Sequence, residues 1–476
     1  MASFYVENFG CRATQADGAA IERQFRERGL EPTAAPSQAE IVVLNTCTVT
    51  ASADQDARAA IRRIRRENPG CEIVVTGCYA QRAPQEIALL PGVSRVIGNS
   101  HKHQLAEIAL ETSVPVRKAG ATSFVPLSSL YNGQQATTEQ PAIFVSDIFA
   151  HTELLAAPVF DAAHDRTRPT LKVQDGCDNR CSFCVIPYVR GQSRSLPLQR
   201  VVDEVNALVA SGYREVVISG INLGRWGRDL IRSSSSHRPM TNGQRLRFEH
   251  LVRAILDATV LEKLRISSVE PMDWSDELIA LMAESPRVAR HAHVPMQSAS
   301  DRILRAMRRK YRPWHYREKI EKIRAAMPNA AIGADVMVGF PGETDADFEE
   351  TRRMVADLPF TYLHVFTYSS RPGTPSATMP NQVPVQVARE RNRILRDLAA
   401  EKKLAFMQSF IGKPLGAITL KQRDGGPDGE FTEAVTDNYL KLRVAGQHEP
   451  NRWVTARIEQ VRDGELVGRL AAKRAA

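Results

Sequence analysis

The chain has 476 residues, 43% hydrophobic and 25% charged, which is too long for one compact core and too balanced for a disordered or low-complexity polymer. No apolar run approaches the roughly 18 residues a membrane span needs, and seven cysteines are too sparse for a secreted disulfide scaffold. A formal net charge of +9 suits a polyanionic partner without specifying one.

The first 110 residues alternate short β-rich runs with helical patterns. Strands are expected at Ser3–Phe9, Glu40–Asn45, Glu72–Thr76 and Val93–Gly98, with helices at Thr14–Arg28, Ser52–Asn68 and Pro84–Leu90. This alternation predicts a parallel sheet wrapped by helices. The N-terminus MASFYVENFGCRATQ lacks the basic and apolar regions of a signal peptide, so a cytoplasmic location is expected. Residues 114–168 lose periodicity and read as a linker.

From residue 169 six strand candidates follow: 171–175, 215–219, 264–268, 291–295, 332–338 and 362–366, separated by helical segments. Six βα units predict an open, partial version of the eight-unit barrel. The polar stretch Arg225–Arg247 reads as a loop insertion, and a long helix is expected over Val383–Gln408. Five short strands, at Gly412–Leu420, Phe431–Thr436, Tyr439–Val444, Arg452–Val461 and Glu465–Leu470, broken by Gly, Pro and Asp, predict a small antiparallel β-barrel. The fold class is thus multidomain α/β. An N-terminal parallel domain covers 1–113, a linker 114–168, a partial (β/α)6 barrel 169–406 and a small β-barrel 407–472.

The most specific motif is Cys177-x3-Cys181-x2-Cys184, directly after the first barrel strand, where this fold builds its sites. Three thiolates can bind three irons of a [4Fe–4S] cube and leave one iron open for the amino and carboxylate groups of S-adenosylmethionine (SAM). One-electron reduction then cleaves the sulfonium and gives a 5′-deoxyadenosyl radical. A structural zinc site would want a fourth protein ligand, and three merely buried thiols rarely share this spacing.

Cys11, Cys47 and Cys78 share no local motif, but each lies just beyond the C-terminal end of an expected parallel strand. Such ends align along one sheet edge. On placement alone, three cluster ligands and three small buried residues are equally open readings. Cys71 precedes its strand and should sit about 20 Å from Cys78, at the opposite edge, with no ligand role.

The three-cysteine loop resembles the hallmark of the radical SAM superfamily. Its surroundings, Asp175-Gly176-Cys177 through Ile186-Pro187-Tyr188-Val189-Arg190-Gly191, resemble the methylthiotransferase branch. That family carries an N-terminal domain with three cysteines, a radical SAM domain and a C-terminal barrel called TRAM, in the order expected here. The resemblance implies that Cys11, Cys47 and Cys78 hold an auxiliary [4Fe–4S] cluster that handles the inserted sulfur. It further implies SAM, a sulfur donor, an electron donor such as flavodoxin or ferredoxin, and tRNA as substrate. Thr436-Asp-Asn-Tyr-Leu-Lys-Leu442, GINLGRWG and HVFTYSSRPGTPSATMP resemble the subgroup that methylthiolates N6-threonylcarbamoyladenosine, the anticodon-loop adenosine just 3′ of the anticodon. The alternatives are the isopentenyladenosine enzyme, a ribosomal-protein aspartate enzyme and a non-catalytic iron–sulfur RNA-binding protein.

Beyond the cysteines, Asn222, Glu270 and Gln297 follow the second, third and fourth barrel strands, where their side chains suit the polar groups of SAM. Gly339 and Gly342, in DVMVGFPGE, offer close backbone approach to adenine. Gln297-Ser-Ala-Ser departs from the family's usual Gln-Ser-Gly-Ser. Residues 302–317, RILRAMRRKYRPWHYR, interleave Arg302, Arg305, Arg308, Arg309, Lys310, Arg312 and Arg317 with Tyr311, Trp314 and Tyr316. Cations for phosphates beside aromatics for stacking form one expected RNA surface, with a solvated helix face and aromatics tucked into the core as the plain alternative. Arg58, Arg62, Arg63, Arg65 and Arg66 form another. From Met407 onward the chain holds 11 Lys+Arg against 9 Asp+Glu, so any RNA binding there rests on local patches.

Overall fold

The computed structural model describes residues 2–110, 141–151, 154, 158–159, 167–230, 246–421 and 431–471. They fall into two compact units: one within 1–157 together with Tyr188–Gly191, the other within 158–187 and 192–476.

In the first unit, β1 (Ser3–Asn8), β2 (Glu31–Pro32), β3 (Ile41–Thr46), β4 (Glu72–Gly77), β5 (Val93–Gly98) and β6 (Ala142–Phe144) form one parallel sheet in the order β2-β1-β3-β4-β5-β6. Every residue of β3 is buried, as an unbroken apolar run in the middle of a parallel sheet must be. Alternate residues serve opposite faces. Val42, Leu44, Ile73 and Val75 pack with Ile61 and Ile64 of the helix Ala51–Glu67. Ile41, Val43 and Val74 pack with Ile21 and Phe25 of the helix Arg12–Glu27. Thr50 caps the helix Ala51–Glu67 by accepting from Ala53 N at 3.2 Å. Cys71 is buried in the first of these cores. Within the stretch that composition marks as a linker, Ala142–Phe144 instead extends the sheet beside β5, a non-local pairing that leaves no local periodicity to read. Residues 111–140 of that stretch lie outside the described residues.

The second unit holds β7 (Pro158–Val159), β8 (Thr170–Asp175), β9 (Arg194–Ser195), β10 (Glu215–Gly220), β11 (Lys263–Ile266), β12 (His291–His293), β13 (Ala331–Val338) and β14 (Tyr362–Thr367). The parallel series β8-β10-β11 and β12-β13-β14 meet through single bridges, Leu264 to Val288 and Ser268 to His293. β7 and β9 pair with β8 antiparallel. The six expected strands therefore form an open arc in chain order. Of the polar insertion Arg225–Arg247, residues 231–245 lie outside the described residues. The helix expected at its end runs Val385–Gln408.

β15 (Pro414–Thr419), β16 (Phe431–Thr436), β17 (Lys441–Ala445), β18 (Trp453–Arg462) and β19 (Glu465–Leu470) close a barrel in the order β15-β16-β17-β19-β18, antiparallel except for the parallel pair β17–β19. Its core packs Ala417, Leu442, Val444, Ala456, Ile458 and Leu466 onto Met407 and Phe410. The barrel belongs to the same compact unit as the strand arc. The turn after β16 carries Tyr439, at φ 65°, whose ring lies 4.8 Å from His291 and 5.3 Å from the Arg265 guanidinium. Arg265, fully buried, pairs with Glu215 at 2.6 Å and donates to the Asp437 carbonyl at 3.1 Å. Among the described residues no helix is long and apolar enough to cross a membrane.

Candidate functional site

The loop Gly176–Cys184 leaves β8 under tight control. Gln174, fully buried, donates to the carbonyls of Asp175 and Gly176 at 2.9 and 2.8 Å and to Ser193 at 2.9 Å, and its oxygen accepts from Asn222 N at 2.7 Å. Ser182 ties the far side of the loop to the carbonyls of Met307 and Ala306 at 3.1 and 2.7 Å. A buried Lys172–Asp175 pair at 2.8 Å sits at the strand end. Both ends of the cysteine loop are thus tied down, at Gly176 by Gln174 and at Ser182 by the Ala306 and Met307 carbonyls.

Cys177, Cys181 and Cys184 face one another closely enough to interact electrostatically. Burial pushes the Cys184 thiol up to about 12, with Cys181 and Cys177 adding to the rise; burial also raises Cys177. Such a set of thiolates is unstable without positive charge among them. The sulfurs of neither three-cysteine set in this chain all lie within 4.8 Å of one another, whereas a tetrahedral zinc would draw its sulfurs to about 3.8 Å. The donor set fits an iron–sulfur cube better than a single ion.

Around this loop, Asn222 is buried, with Nδ2 3.5 Å from the Cys177 sulfur and an Oδ1 that has no hydrogen-bond partner. Gln297 follows β12 in a left-handed conformation (φ 63°), and its buried Oε1 likewise has no partner. Each is a buried acceptor open to a hydrogen-bond donor. Glu270 lines the same recess as Cys181, and its carboxylate is taken by Arg309, whose Nη1 donates to Cys181 at 3.3 Å. Glu270 therefore reaches the cysteine loop through Arg309.

Gly339 and Gly342 both stand in turns with positive φ. At Gly339 (φ 76°) a Cβ would lie 2.6 Å from that of Ala388, so helix packing and φ already demand glycine there. Gly342 (φ 81°) donates to the Asn381 carbonyl at 2.7 Å and accepts from Arg302 at 2.6 Å. Both turns are held by contacts within the chain.

The basic run 302–317 is not one helix. It divides into Asp301–Ala306 and a second helix beginning at Pro313, where proline starts a helix well and continues one poorly. Arg309 is buried, which takes it out of the expected RNA surface, and Tyr311 and Tyr316 are fully buried, as the alternative of core aromatics has it. Burial raises Tyr311 and Tyr316 well above the ordinary tyrosine range. Trp314, 57% exposed, and the exposed Arg305, Arg308 and Lys310 stay at the surface. Arg225, Arg308 and Lys310 line a recess that also includes Cys181 and Glu270. On the helix Ala51–Glu67, Arg58 pairs with Glu86 and Arg63 with Glu7, both at 2.8 Å, while Arg62 and Arg66 are exposed.

In the first unit, Cys11, Cys47 and Cys78 follow β1, β3 and β4 and come together at the sheet's C-terminal edge. Burial pushes Cys47 up to about 12, and Cys78 and Cys11 raise it further while Arg190 opposes them. Gly10 makes the approach possible. With φ 99°, a Cβ there would fall 2.6 Å from that of Cys47. Thr14 Oγ1 lies 3.6 Å from the Cys11 sulfur, and Asn99 Nδ2 3.7 Å from that of Cys78. Buried Lys102 and Arg190 both pair with Asp17, at 3.0 and 2.9 Å, and Lys102 also reaches Asn45 at 3.2 Å. Thr14, Asn99, Lys102 and Asp17 were not legible from sequence, because no spacing links residues up to 85 apart.

The radical SAM superfamily model matches residues 171–355, and the model of uncharacterized family UPF0004 matches residues 3–98. The chain is 34% identical over 94% of its length to the threonylcarbamoyladenosine tRNA methylthiotransferase of Aquifex aeolicus, covering 98% of that protein. It is equally identical to its Bacillus subtilis counterpart, over 94% and 92% of the two chains. It is 32% identical to the tRNA-2-methylthio-N6-dimethylallyladenosine synthase of Novosphingobium aromaticivorans, over 98% and 97%. Among solved structures, the radical SAM methyltransferase TsrM of Kitasatospora setae shares the fold, at a TM-score of 0.53 and 16% identity over 79% of this chain and 75% of that one. Full-length identity of this order, with both family models in their expected places, leaves one assignment: the chain belongs to the radical SAM methylthiotransferase family, enzymes that use SAM and a [4Fe–4S] cluster.

Proposed function

We propose that this enzyme methylthiolates carbon 2 of N6-threonylcarbamoyladenosine, the tRNA base just 3′ of the anticodon. The observation that carries the reading is the presence of two separate three-cysteine sets, one at the C-terminal edge of each parallel sheet, in a chain 34% identical to threonylcarbamoyladenosine enzymes. Cys177, Cys181 and Cys184 would hold the SAM-cleaving cluster, and Cys11, Cys47 and Cys78 an auxiliary cluster that carries the sulfur. When bound, the first cluster supplies the electron that breaks the SAM sulfonium, which gives access to a C–H bond that acid–base chemistry cannot activate. The unsatisfied oxygens of Asn222 and Gln297 would accept from the amino and hydroxyl groups of SAM, and Arg309, held by Glu270, donates to the Cys181 sulfur. Arg225, Arg308 and Lys310 give the recess at Cys181 a positive rim suited to RNA phosphates. A small reductant protein and a sulfur donor complete the partners.

Mass analysis of tRNA nucleosides from a host with and without the gene tests this directly. The 2-methylthio-threonylcarbamoyladenosine signal should vanish on deletion and return on complementation. Loss of the 2-methylthio-isopentenyladenosine signal instead would reassign the substrate, a reading that the 32% identity to dimethylallyladenosine synthases keeps specific. In vitro, Cys181→Ala should abolish reductive SAM cleavage; persistence of cleavage would remove Cys181 from the cluster.

A further inference from the structure

Among the described residues, one set of three metal-ligating side chains brings all its donor atoms within 4.8 Å: His293, Asp335 and His364. They come from three neighbouring parallel strands, β12, β13 and β14. The register places His293 opposite Gly333 and Asp335 opposite His364. Because side chains alternate along a strand, all three project from the face that also carries His291 and Tyr362. None belongs to either cysteine set or to the residues around Cys177.

The set is built rather than accidental. His293 is only 9% exposed; its Nε2 stands 3.3 Å from Asp335 Oδ1, yet it makes no hydrogen bond. A buried imidazole nitrogen that makes no hydrogen bond, close to a carboxylate and a second imidazole, is an expensive arrangement unless something lies between them. The ring is also held in place. It stacks on Tyr362 at 5.9 Å and 18°, and Tyr362 is anchored through its hydroxyl to His291 Nε2 at 2.7 Å. Gly333 permits this: a Cβ there would fall 2.0 Å from the Tyr362 ring, so only glycine lets that ring lie beside His293.

We propose that His293, Asp335 and His364 bind a divalent transition-metal ion of the zinc class. Two imidazoles and one carboxylate are the donor set such ions take in sites that keep further positions open. At metal–ligand distances of about 2.1 Å, tetrahedral donors lie about 3.4 Å apart, so the observed separations close by small side-chain rotations. His364 is exposed, which gives the ion a route in and leaves its remaining positions to water or to an oxygen donor of a ligand. A simple imidazolium–carboxylate pair would explain neither the missing hydrogen bond at His293 nor the third ligand.

The test uses the full chain with its cysteine sites first loaded with iron and sulfide under anaerobic conditions. Zinc sulfate is added, loosely bound metal is stripped on a chelating resin, and zinc and iron are counted by mass spectrometry. The wild type should keep about one zinc per chain, and His364→Ala and Asp335→Asn should weaken zinc binding at least about tenfold with iron unchanged. His293→Ala should do the same, but its ring is buried; the exposed His364 gives a variant in which a folding defect does not obscure the answer. Absence of retained zinc in the wild type, or undiminished zinc in His364→Ala, overturns the site.

Discussion

Arg309 donates to the sulfur of Cys181 at 3.3 Å while its other terminal nitrogen pairs with Glu270 and its guanidinium lies 4.9 Å over the Tyr311 ring. A hydrogen bond to a cluster sulfur from a cation raises the reduction potential of that cluster. Arg309→Ala should therefore lower the potential of the Cys177/Cys181/Cys184 cluster, followed by redox titration with electron paramagnetic resonance. It should also destabilise the fold by about 1–3 kcal/mol, because Glu270 is left half-buried without its partner. An unchanged potential would reduce Arg309 to a packing role.

Gly10→Ala tests the approach of Cys11 to Cys47. The new methyl would collide with Cys47 in a backbone conformation that alanine disfavours, at about 1–3 kcal/mol. With the second cluster proposed for Cys11, Cys47 and Cys78, iron content should fall from about eight to about four per chain, with SAM cleavage retained.

The two cysteine sets should be separable in function. Replacing Cys11, Cys47 and Cys78 together by Ala should leave reductive SAM cleavage intact and abolish methylthiolation of tRNA. Methylthiolated product from that variant would refute the auxiliary role. Cys71→Ala, a change in the hydrophobic core, should lower the melting temperature slightly and leave iron content alone.

Asp347 predicts an acid limb of stability. Burial by itself would raise its carboxyl, but hydrogen bonds from Arg302, Ser300 and Thr344 outweigh it and hold the pKa at about 2. A folded-state pKa below the ordinary carboxylate value stabilises above that value and is lost as pH falls through the folded one, so the window is about pH 4 down to 2. Asp347→Asn should cost about 1–2 kcal/mol at neutral pH, partly because the carboxylate no longer accepts from Thr344 N and Oγ1. The gap from wild type in urea midpoint should narrow across that window.

Tyr439→Ala removes the ring wedged among His291, Tyr362 and Arg265. Loss of a packed aromatic of this size should destabilise by about 2–4 kcal/mol. Limited proteolysis should then release the C-terminal barrel first, while the closed strand order of that barrel leaves its own core intact.

The sequence by itself determined whatever rests on local pattern. The strands 93–98, 431–436 and 465–470 fall where periodicity and turn residues place them, because side-chain alternation and turn chemistry act over a few residues. The same holds for the loop Cys177–Cys184, whose spacing is its own signal. Cys11, Cys47 and Cys78 were legible one step further out, since parallel strands must end along a common edge.

Tertiary structure decided which way side chains turn and which distant group each meets. Nothing in RILRAMRRKYRPWHYR separates Arg309 from Arg308. One is buried against Glu270, 39 residues away, and the other is exposed. The strand Ala142–Phe144 and the His293–Asp335–His364 set depend in the same way on pairings between separate segments. Such choices rest on desolvation and on partners supplied by the whole fold, so they exist only once the chain has closed on itself.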